Sequence, residues 1–489
     1  MKPARLCVTV TAATMAELRT RRDAVADGAD MVELRLDTVS DPSAAGALAG
    51  RKKPVLVTCR HRDEGGYFAG TEEERRRILA EALSLGAEFV DVEWNRACAD
   101  LIQQSGGRRI VLSHHDFSGV PADLGQKASA MLGSGAEVVK LSVMAHRLSD
   151  NLVLRNLGRH TRVPVVLVGM GIAGVPSRVL ATWMGSAWTY SGDGVAPGQV
   201  PPQRMIEEFR FRHITARTSV FGLLGNPVTH SVSPAMHNAA FHAAHQDAVY
   251  LPLAAADFQD FMAFAEAAGL RGASVTAPFK VDAFERADEC DPVSRRIQSV
   301  NTLRFEQGKW LGCNTDVTGF LAPLESQHRL APMRATILGA GGAARSVAEA
   351  LAAASASVSI SARHPERARA VASLTGASVT DWPPRPESWD LLVNATPVGT
   401  VPHTGASPLP DDYLFHPGGV VYDLVYNPPD TRLLRDAARA GCRTIGGLDM
   451  LVAQAQAQFE WWTGTKPADR VMRDAALTQL AAMGRDSQQ

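Results

Sequence analysis

The chain has 489 residues, more than one hydrophobic core usually serves, so at least two domains are expected and three fit comfortably. Its 50 basic and 51 acidic residues leave a net charge of −1 with no long like-charged run, which gives no footing to a nucleic-acid or membrane-surface role. The six cysteines, at 7, 59, 98, 290, 313 and 442, form no C-x-x-C pair, and no apolar stretch is long enough to span a bilayer, so the expectation is a cytoplasmic, metal-free protein acting on small molecules.

In chain order, apolar runs at 6–12, 31–37, 54–60, 89–94, 109–117, 138–143, 163–169 and 186–191 are separated by helical-looking segments. Strands buried on both faces read as continuous Val/Leu/Ile stretches, and eight of them alternating with helices predict a (β/α)8 TIM barrel. In such a barrel the chemistry sits where strands end, and here the run ends carry Glu33, Arg35, Arg60, His115 and Lys140. A neutral amine is needed to attack a ketone, and Lys140, facing a barrel lined by Arg35, Arg60 and Arg178, is expected to have its pKa lowered by desolvation and like charge. His115 titrates in the right range to move the proton next to the resulting iminium. His114 and His115 are adjacent on a strand and point to opposite faces, so they do not chelate a metal together.

Composition shifts over 209–219, where the domain junction is placed, and a new strand begins at Val220. Short hydroxyl and amide residues then cluster at turns: Ser231-Val-Ser233-Pro, Ser274-Val-Thr276-Ala-Pro-Phe-Lys280, Val300-Asn301-Thr302 and Asn314-Thr315-Asp316. Such a set suits a polyhydroxylated substrate, with a Lys/Asp pair to move a proton. Taken singly, the same pieces read as a helix cap, a turn and a surface lysine.

A strand at 335–338 opens on Gly339-Ala340-Gly341-Gly342-Ala343-Ala344 and an alanine-rich helix, an arrangement that presents a helix N-terminus to a pyrophosphate. Ala343 and Ala344 occupy the stretch where a third glycine is usual. The next strand, 358–361, runs into Ala362-Arg363-His364-Pro365-Glu366-Arg367, where an NAD site would offer a carboxylate. Arg363 and Arg367 suit the extra phosphate of NADP; the alternative is two solvated arginines at a helix start.

With these motifs in order, together with Gly225-Asn226-Pro227-Val228-Thr229-His230-Ser231, Asn394-Ala395-Thr396-Pro397, Asp423-Leu-Val-Tyr426-Asn-Pro and Gly446-Gly447-Leu-Asp-Met450-Leu451-Val-Ala-Gln454, residues 221–464 resemble shikimate dehydrogenases. The resemblance implies a two-lobed α/β unit with a Rossmann-type NADP domain. It implies substrate contacts from Ser231, Ser233, Thr276, Asn301, Asp316, Tyr426 and Gln454, and Lys280 with Asp316 as the catalytic pair. Gly339, Ala340, Gly341, Gly342, Ala343, Arg363, Arg367, Thr396 and Gly447 would hold NADP. Ser274 and Ala362 each stand where the family usually has Asn.

Residues 6–203 resemble type I dehydroquinate dehydratases through Glu33-Leu-Arg35, Thr58-Cys-Arg60 followed by Glu64-Gly-Gly, Ser113-His-His115-Asp-Phe, Val139-Lys140, Met170-Gly171-x-x-Gly174-x-x-Ser177-Arg178 and Ala196-Pro-Gly-Gln199. The likeness implies Lys140 as Schiff-base nucleophile and His115 as proton shuttle oriented by Glu64. Glu33, Arg35, Arg60, Arg178 and Gln199 would hold the substrate, and Val195 departs from the usual Ser or Thr. Jointly the two resemblances imply dehydration of 3-dehydroquinate to 3-dehydroshikimate, then NADPH-dependent reduction to shikimate. The alternatives are a Schiff-base aldolase fused to a quinate dehydrogenase, or a regulatory binding protein that kept the pockets. The expected division is 1–214 barrel, 219–325 substrate domain, 326–445 NADP domain and 446–489 a helical segment returning to the substrate domain.

Overall fold

The computed structural model describes residues 3–95, 99–159, 161–325, 333–468 and 470–486; Cys98 and the boundary expected at 325/326 lie outside or at the edge of these. The chain divides into two compact units, Met1–Ser219 with Asp247–Gly269, and Val220–Gln246 with Leu270–Gln489.

In the first unit eight parallel strands, β1 (Arg5–Val10), β2 (Met31–Arg35), β3 (Val55–Thr58), β4 (Phe89–Glu93), β5 (Ile110–Asp116), β6 (Val138–Met144), β7 (Val165–Met170) and β8 (Trp188–Ser191), pair in the order β7-β6-β5-β4-β3-β2-β1-β8. A bridge between Val165 and Ser186 brings the two ends of this order together. Each strand covers one of the eight apolar runs, and nearly every strand residue is buried, as a sheet enclosed on both faces demands.

Side chains alternate along a strand, so positions two apart share a face. Cys7, Met31, Leu56, Phe89, Val111, Val138, Val166 and Trp188, one from each strand, pack into a single apolar cluster. Two residues on, the same face carries Thr9, Glu33, Thr58, Asp91, Ser113, Lys140, Val168 and Tyr190. Two further on it carries Arg35, Arg60, Glu93, His115, Ser142 and Met170. The barrel is therefore oily at one end and charged at the end where the strands finish.

The segment 247–269, strand β10 (Ala248–Ala254) and helix Phe258–Ala268, belongs to this unit and caps one of its helices. Helix Asp150–Gly158 follows β6, and its N-cap residue Ser149 makes no side-chain cap bond. Asp260, buried, accepts instead from the N–H groups of Leu148 (2.9 Å), Ser149 (2.9 Å) and Ala256 (3.1 Å), satisfying donors that a helix start leaves open.

In the second unit a mixed sheet contains β9 (Ser219–Gly225), β11 (Leu270–Val275), β12 (Glu289–Cys290), β13 (Thr302–Glu306) and β14 (Lys309–Cys313). β9 and β11 run parallel, β11–β13 and β13–β14 antiparallel. A second sheet of β15 (Arg334–Leu338), β16 (Ser357–Ser361), β17 (Ser378–Thr380), β18 (Leu391–Asn394), β19 (Val420–Asp423) and β20 (Arg443–Ile445) is wholly parallel in the order β17-β16-β15-β18-β19-β20. That order is 3-2-1-4-5-6, the doubly wound dinucleotide-binding topology, with its crevice between β15 and β18. Helices Gly447–Thr463 and Val471–Asp486 then run back to pack on helix Ser233–Ala243 of the substrate lobe. Among the described residues no helix is long and apolar enough to cross a membrane.

Candidate active sites

In the first unit one pocket at the strand ends is lined by Glu33, Arg35, Arg60, Glu64, His115, Lys140, Arg178 and Gln199, together with Phe117, Ser142, Tyr190 and Val195. All eight residues expected from sequence converge there. His115 Nδ1 lies 2.9 Å from Glu64 Oε2, which leaves Nε2 as the nitrogen available for proton transfer. Burial, reinforced by Arg60 and Lys140, holds the imidazole well below its ordinary range, so it is neutral at pH 7. Burial pushes the Glu64 carboxyl up to about 7, with Arg60 partly offsetting it.

Lys140 Nζ sits 3.2 Å from Asp91 Oδ2 and 4.4 Å from the centre of the Tyr190 ring. The sequence expectation surrounded this lysine with cations alone, and the structure corrects that. Asp91 lies on the same inward face of β4, ionised because Arg60 (2.8 Å) and Lys140 outweigh its desolvation. Arg60 is further held by Glu93 (3.3 Å) and Ser113 Oγ (2.8 Å), and Glu93 also pairs with the buried Arg75. Arg35 grips Asp37 through two bonds of 2.9 and 2.7 Å. Glu33 accepts from the hydroxyls of Thr9 and Thr58, both at 2.8 Å. Gln199 Oε1 accepts from the Val195 and Ala196 N–H groups, folding segment 195–199 over the pocket.

Arg178 differs from these. Its Nη2 donates to the Pro197 carbonyl at 3.1 Å, its Nε has no partner among the described residues, and burial without a counter-ion depresses its pKa to about 10. A desolvated cation in a pocket is a receptor for an anion. His114, on the outer face of β5, is buried apart from the pocket.

In the second unit Lys280 begins helix Lys280–Arg286, and Asp316 begins helix Asp316–Glu325. Lys280 Nζ donates to Asp316 Oδ2 at 2.5 Å. Asn301 Nδ2 donates to Asp316 Oδ1 (2.7 Å) and Thr315 Oγ1 (2.9 Å) and lies 3.5 Å from Gln454 Oε1. Ser231, Ser233 and Tyr426 form a second group: the Ser233 N–H donates to Ser231 Oγ at 3.2 Å, and Tyr426 hydrogen-bonds the Ser231 side chain. Thr276 is tied through its N–H to the Leu224 carbonyl (2.9 Å), at the turn that leads to Lys280. Ser274 turns its hydroxyl to Gln458 Oε1 at 2.7 Å.

The glycine turn follows β15 at the sheet's crevice. Gly339 has φ +108°, a left-handed conformation that favours glycine, and a Cβ there would come 2.8 Å from Thr396 Cγ2. Helix Gly342–Ala353 starts beside Lys280: a Cβ on Gly342 would lie 3.1 Å from Lys280 Cδ. A Cβ on Gly447 would run into the Leu424 carbonyl, so this position needs glycine for close packing at the end of β19. Arg363 and Arg367 are exposed beyond β16, and among the described residues neither is in an ion pair. Glycine turn, helix N-terminus and uncommitted arginines together fit a dinucleotide bearing an extra phosphate. Sequence reasoning passed over Asp91, Glu93, Tyr190 and Gln458. Phe-Val-Asp-Val-Glu places acids at alternate positions of a buried strand, and Gln458 stands one helical turn after Gln454; both were visible patterns.

Residues 6–216 match the type I 3-dehydroquinase family. Residues 223–303 match the shikimate dehydrogenase substrate binding domain, and residues 447–477 the shikimate 5'-dehydrogenase C-terminal domain. The chain is 34% identical over 472 residues to the chloroplastic bifunctional 3-dehydroquinate dehydratase/shikimate dehydrogenase of Arabidopsis thaliana, covering 89% of this chain and 78% of that protein. It is 45% identical over 285 residues to the NADP(+) shikimate dehydrogenase of Moorella thermoacetica, covering 54% of this chain and 95% of that one. A crystal structure of the Thermus thermophilus shikimate 5-dehydrogenase with NADP(H) and shikimate aligns with a TM-score of 0.50 at 38% identity, over 53% of this chain and 99% of the other. A barrel with a buried lysine and a histidine–glutamate pair, followed by a lysine–aspartate pair beside a dinucleotide fold, and similarity running through both halves, place this chain in the bifunctional 3-dehydroquinate dehydratase/shikimate dehydrogenase family.

Proposed function

We propose that the first unit dehydrates 3-dehydroquinate to 3-dehydroshikimate and that the second reduces this ketone to shikimate with NADPH. The observation that carries the reading is the presence, in one chain, of two lysines in different chemical settings. Lys140 sits in a pocket at the strand ends with a neutral histidine and an arginine that has no counter-ion among the described residues, and Lys280 is bonded to a carboxylate beside the glycine turn.

In the barrel, Lys140 Nζ gives up its proton to solvent and adds to the substrate ketone; loss of water leaves an iminium. His115 Nε2 removes the proton from the adjacent carbon, and the electron pair flows into the iminium to form an enamine. The enamine expels the β-hydroxyl, which leaves as water with the proton from His115. Hydrolysis of the new iminium frees the enone and the lysine. Arg178, which has no counter-ion among the described residues, holds the substrate carboxylate, while Glu33 and Gln199 face its hydroxyls. Arg35 and Arg60, held in place by Asp37, Asp91 and Glu93, also contact the substrate from the wall of the pocket.

The histidine–glutamate pair gives this half a pH dependence. With Glu64 ionised, His115 Nδ1–H donates to it and Nε2 is free to accept a proton. With Glu64 protonated, its hydroxyl donates to Nδ1 and the ring proton moves to Nε2, which blocks the base. Because Glu64 titrates near 7, kcat/KM for dehydration is expected to fall as pH drops through that range. Glu64→Gln should remove this limb, and an unchanged profile in the variant would exclude Glu64 as its source.

In the second unit Asn301, Gln454, Ser231, Ser233, Thr276 and Tyr426 hold the ring hydroxyls and carboxylate. Bound NADPH supplies the hydride. Lys280 delivers a proton to the carbonyl oxygen, and Asp316 holds that ammonium and accepts from a ring hydroxyl. Arg363 and Arg367 meet the adenine-ribose phosphate. Arg363→Ala is expected to weaken NADPH by about ten- to a hundredfold and leave NADH nearly unchanged, the scale of one charge-assisted contact. Equal loss with both cofactors would make Arg363 a surface residue.

The four-part division at 214, 325 and 445 and a cytoplasmic location belong to the same reading. Products distinguish it from the alternatives. Dehydroquinate alone should generate the ultraviolet absorbance of a conjugated enone with no carbon–carbon cleavage, whereas an aldolase would release two fragments. With NADP+ the second unit should oxidise shikimate in preference to quinate, and a binding protein would do none of this.

A further inference from the structure

Asn301 lies between the Lys280/Asp316 pair and a buried polar cluster in which each group's donor or acceptor role is dictated. The Thr315 backbone N–H donates to Asn301 Oδ1 at 2.8 Å, and a backbone N–H is only ever a donor. This fixes the amide so that Nδ2 faces Asp316. Gln458 is fixed in the same way: its Nε2 lies 3.3 Å from the Asn301 backbone carbonyl, which is only ever an acceptor, and its Oε1 accepts from Ser274. Gln458 Nε2 therefore presents its other hydrogen to Thr302 Oγ1 at 3.0 Å. Thr302 has one hydroxyl proton. Gln458 donates to this hydroxyl on one side; of the acceptors on the other, Asn301 Oδ1 at 2.8 Å is closer than Thr315 Oγ1 at 3.4 Å, so that proton points to Asn301. Burial pushes the neighbouring Cys313 thiol up, so its sulfur stays neutral and is a weaker acceptor for the Thr302 proton than the Asn301 amide oxygen. Thr302 and Gln458 are both buried, so water does not substitute for a lost link.

We infer that Gln458 and Thr302 are positioning residues for reduction: a one-way chain of hydrogen bonds, Gln458 to Thr302 to Asn301 to Asp316, sets the orientation of Asp316 and through it of Lys280. This rests on Lys280 and Asp316 being the proton-handling pair. Neither Thr302 nor Gln458 has to touch the substrate. Ser274 enters the chain from the other end, since its hydroxyl occupies Gln458 Oε1 and so commits Nε2 to Thr302.

The test uses the full chain, with reduction of 3-dehydroshikimate by NADPH as the assay and NADPH fluorescence binding as the check that the second unit is folded. Thr302→Val keeps the shape and removes the proton; kcat should fall roughly tenfold, the scale of one buried hydrogen bond, with NADPH affinity unchanged. Thr302→Ser should restore turnover to within about twofold, because the proton and not the methyl group is what matters. Gln458→Met should lower kcat in the same direction as Thr302→Val. If Thr302→Val and Gln458→Met bind NADPH normally and keep wild-type kcat while Lys280→Met is inactive, the chain of bonds is wrong and the catalytic pair stands. If Thr302→Ser is as impaired as Thr302→Val, the methyl group matters and the chain of bonds is wrong. If Lys280→Met itself turns over normally, the reading of the pair fails, and this inference with it.

Discussion

Lys140→Ala is expected to abolish dehydration of 3-dehydroquinate and to leave reduction of added 3-dehydroshikimate at its wild-type rate. The nucleophile has no understudy: among the residues that line the pocket Lys140 is the one amine, since the other cations there are arginines and the histidine is neutral. Truncation leaves Asp91 with Arg60 still in place at 2.8 Å, so the charge network of the barrel is not orphaned and the unit should remain folded. The second unit has its own core, in which Phe320, Ile337, Val393 and Tyr422 pack together, and does not depend on Lys140. Borohydride added with dehydroquinate should inactivate the wild-type enzyme by reducing the iminium, and peptide mass mapping should put the adduct on Lys140. An adduct on another lysine would reassign the nucleophile.

Lys280→Ala is expected to lower turnover in the reductase direction by roughly two to four orders of magnitude, the range of a positioned general acid, with a much smaller change in KM. Asp316→Asn should lose turnover as well, because the amide no longer attracts the Lys280 ammonium that it now meets at 2.5 Å. The double variant should be little worse than the worse single one, since the two side chains act as one unit. Steady-state kinetics with 3-dehydroshikimate and NADPH check this, and losses that simply add would show two independent roles.

Much of the fold is legible in the sequence because burial on both faces leaves an unbroken apolar signature. All eight barrel runs and the β15–glycine–helix unit fall where structure has them. The barrel lysine, histidine and arginines stand out because a charge at the end of such a run has a cost that something must offset. Asp91 and Glu93 are less conspicuous: Asp91 lies inside β4, Glu93 closes it, and their partners Arg60, Arg75 and Lys140 arrive from distant parts of the chain. Recognising them requires counting in twos from Phe89. Asp260 is hidden for a different reason. It caps a helix more than a hundred residues earlier, and no local pattern reports a cap supplied from so far away. The polar cluster around Gln458 is also a product of tertiary contact, since it joins helix Gly447–Thr463 to β11 and β13. Ser274, an apparent departure when read alone, acquires a partner there.

The most direct test of two consecutive reactions in one chain is to mix the purified protein with 3-dehydroquinate and NADPH and follow enone and reduced-cofactor absorbance together. The account predicts that the enone forms first, then declines as NADPH is consumed, with one NADPH oxidised for each dehydroquinate supplied and shikimate as the product. Without NADPH the enone should accumulate. NADPH loss from dehydroquinate with Lys140 replaced by alanine, or no change in either signal with the wild-type chain, would contradict it.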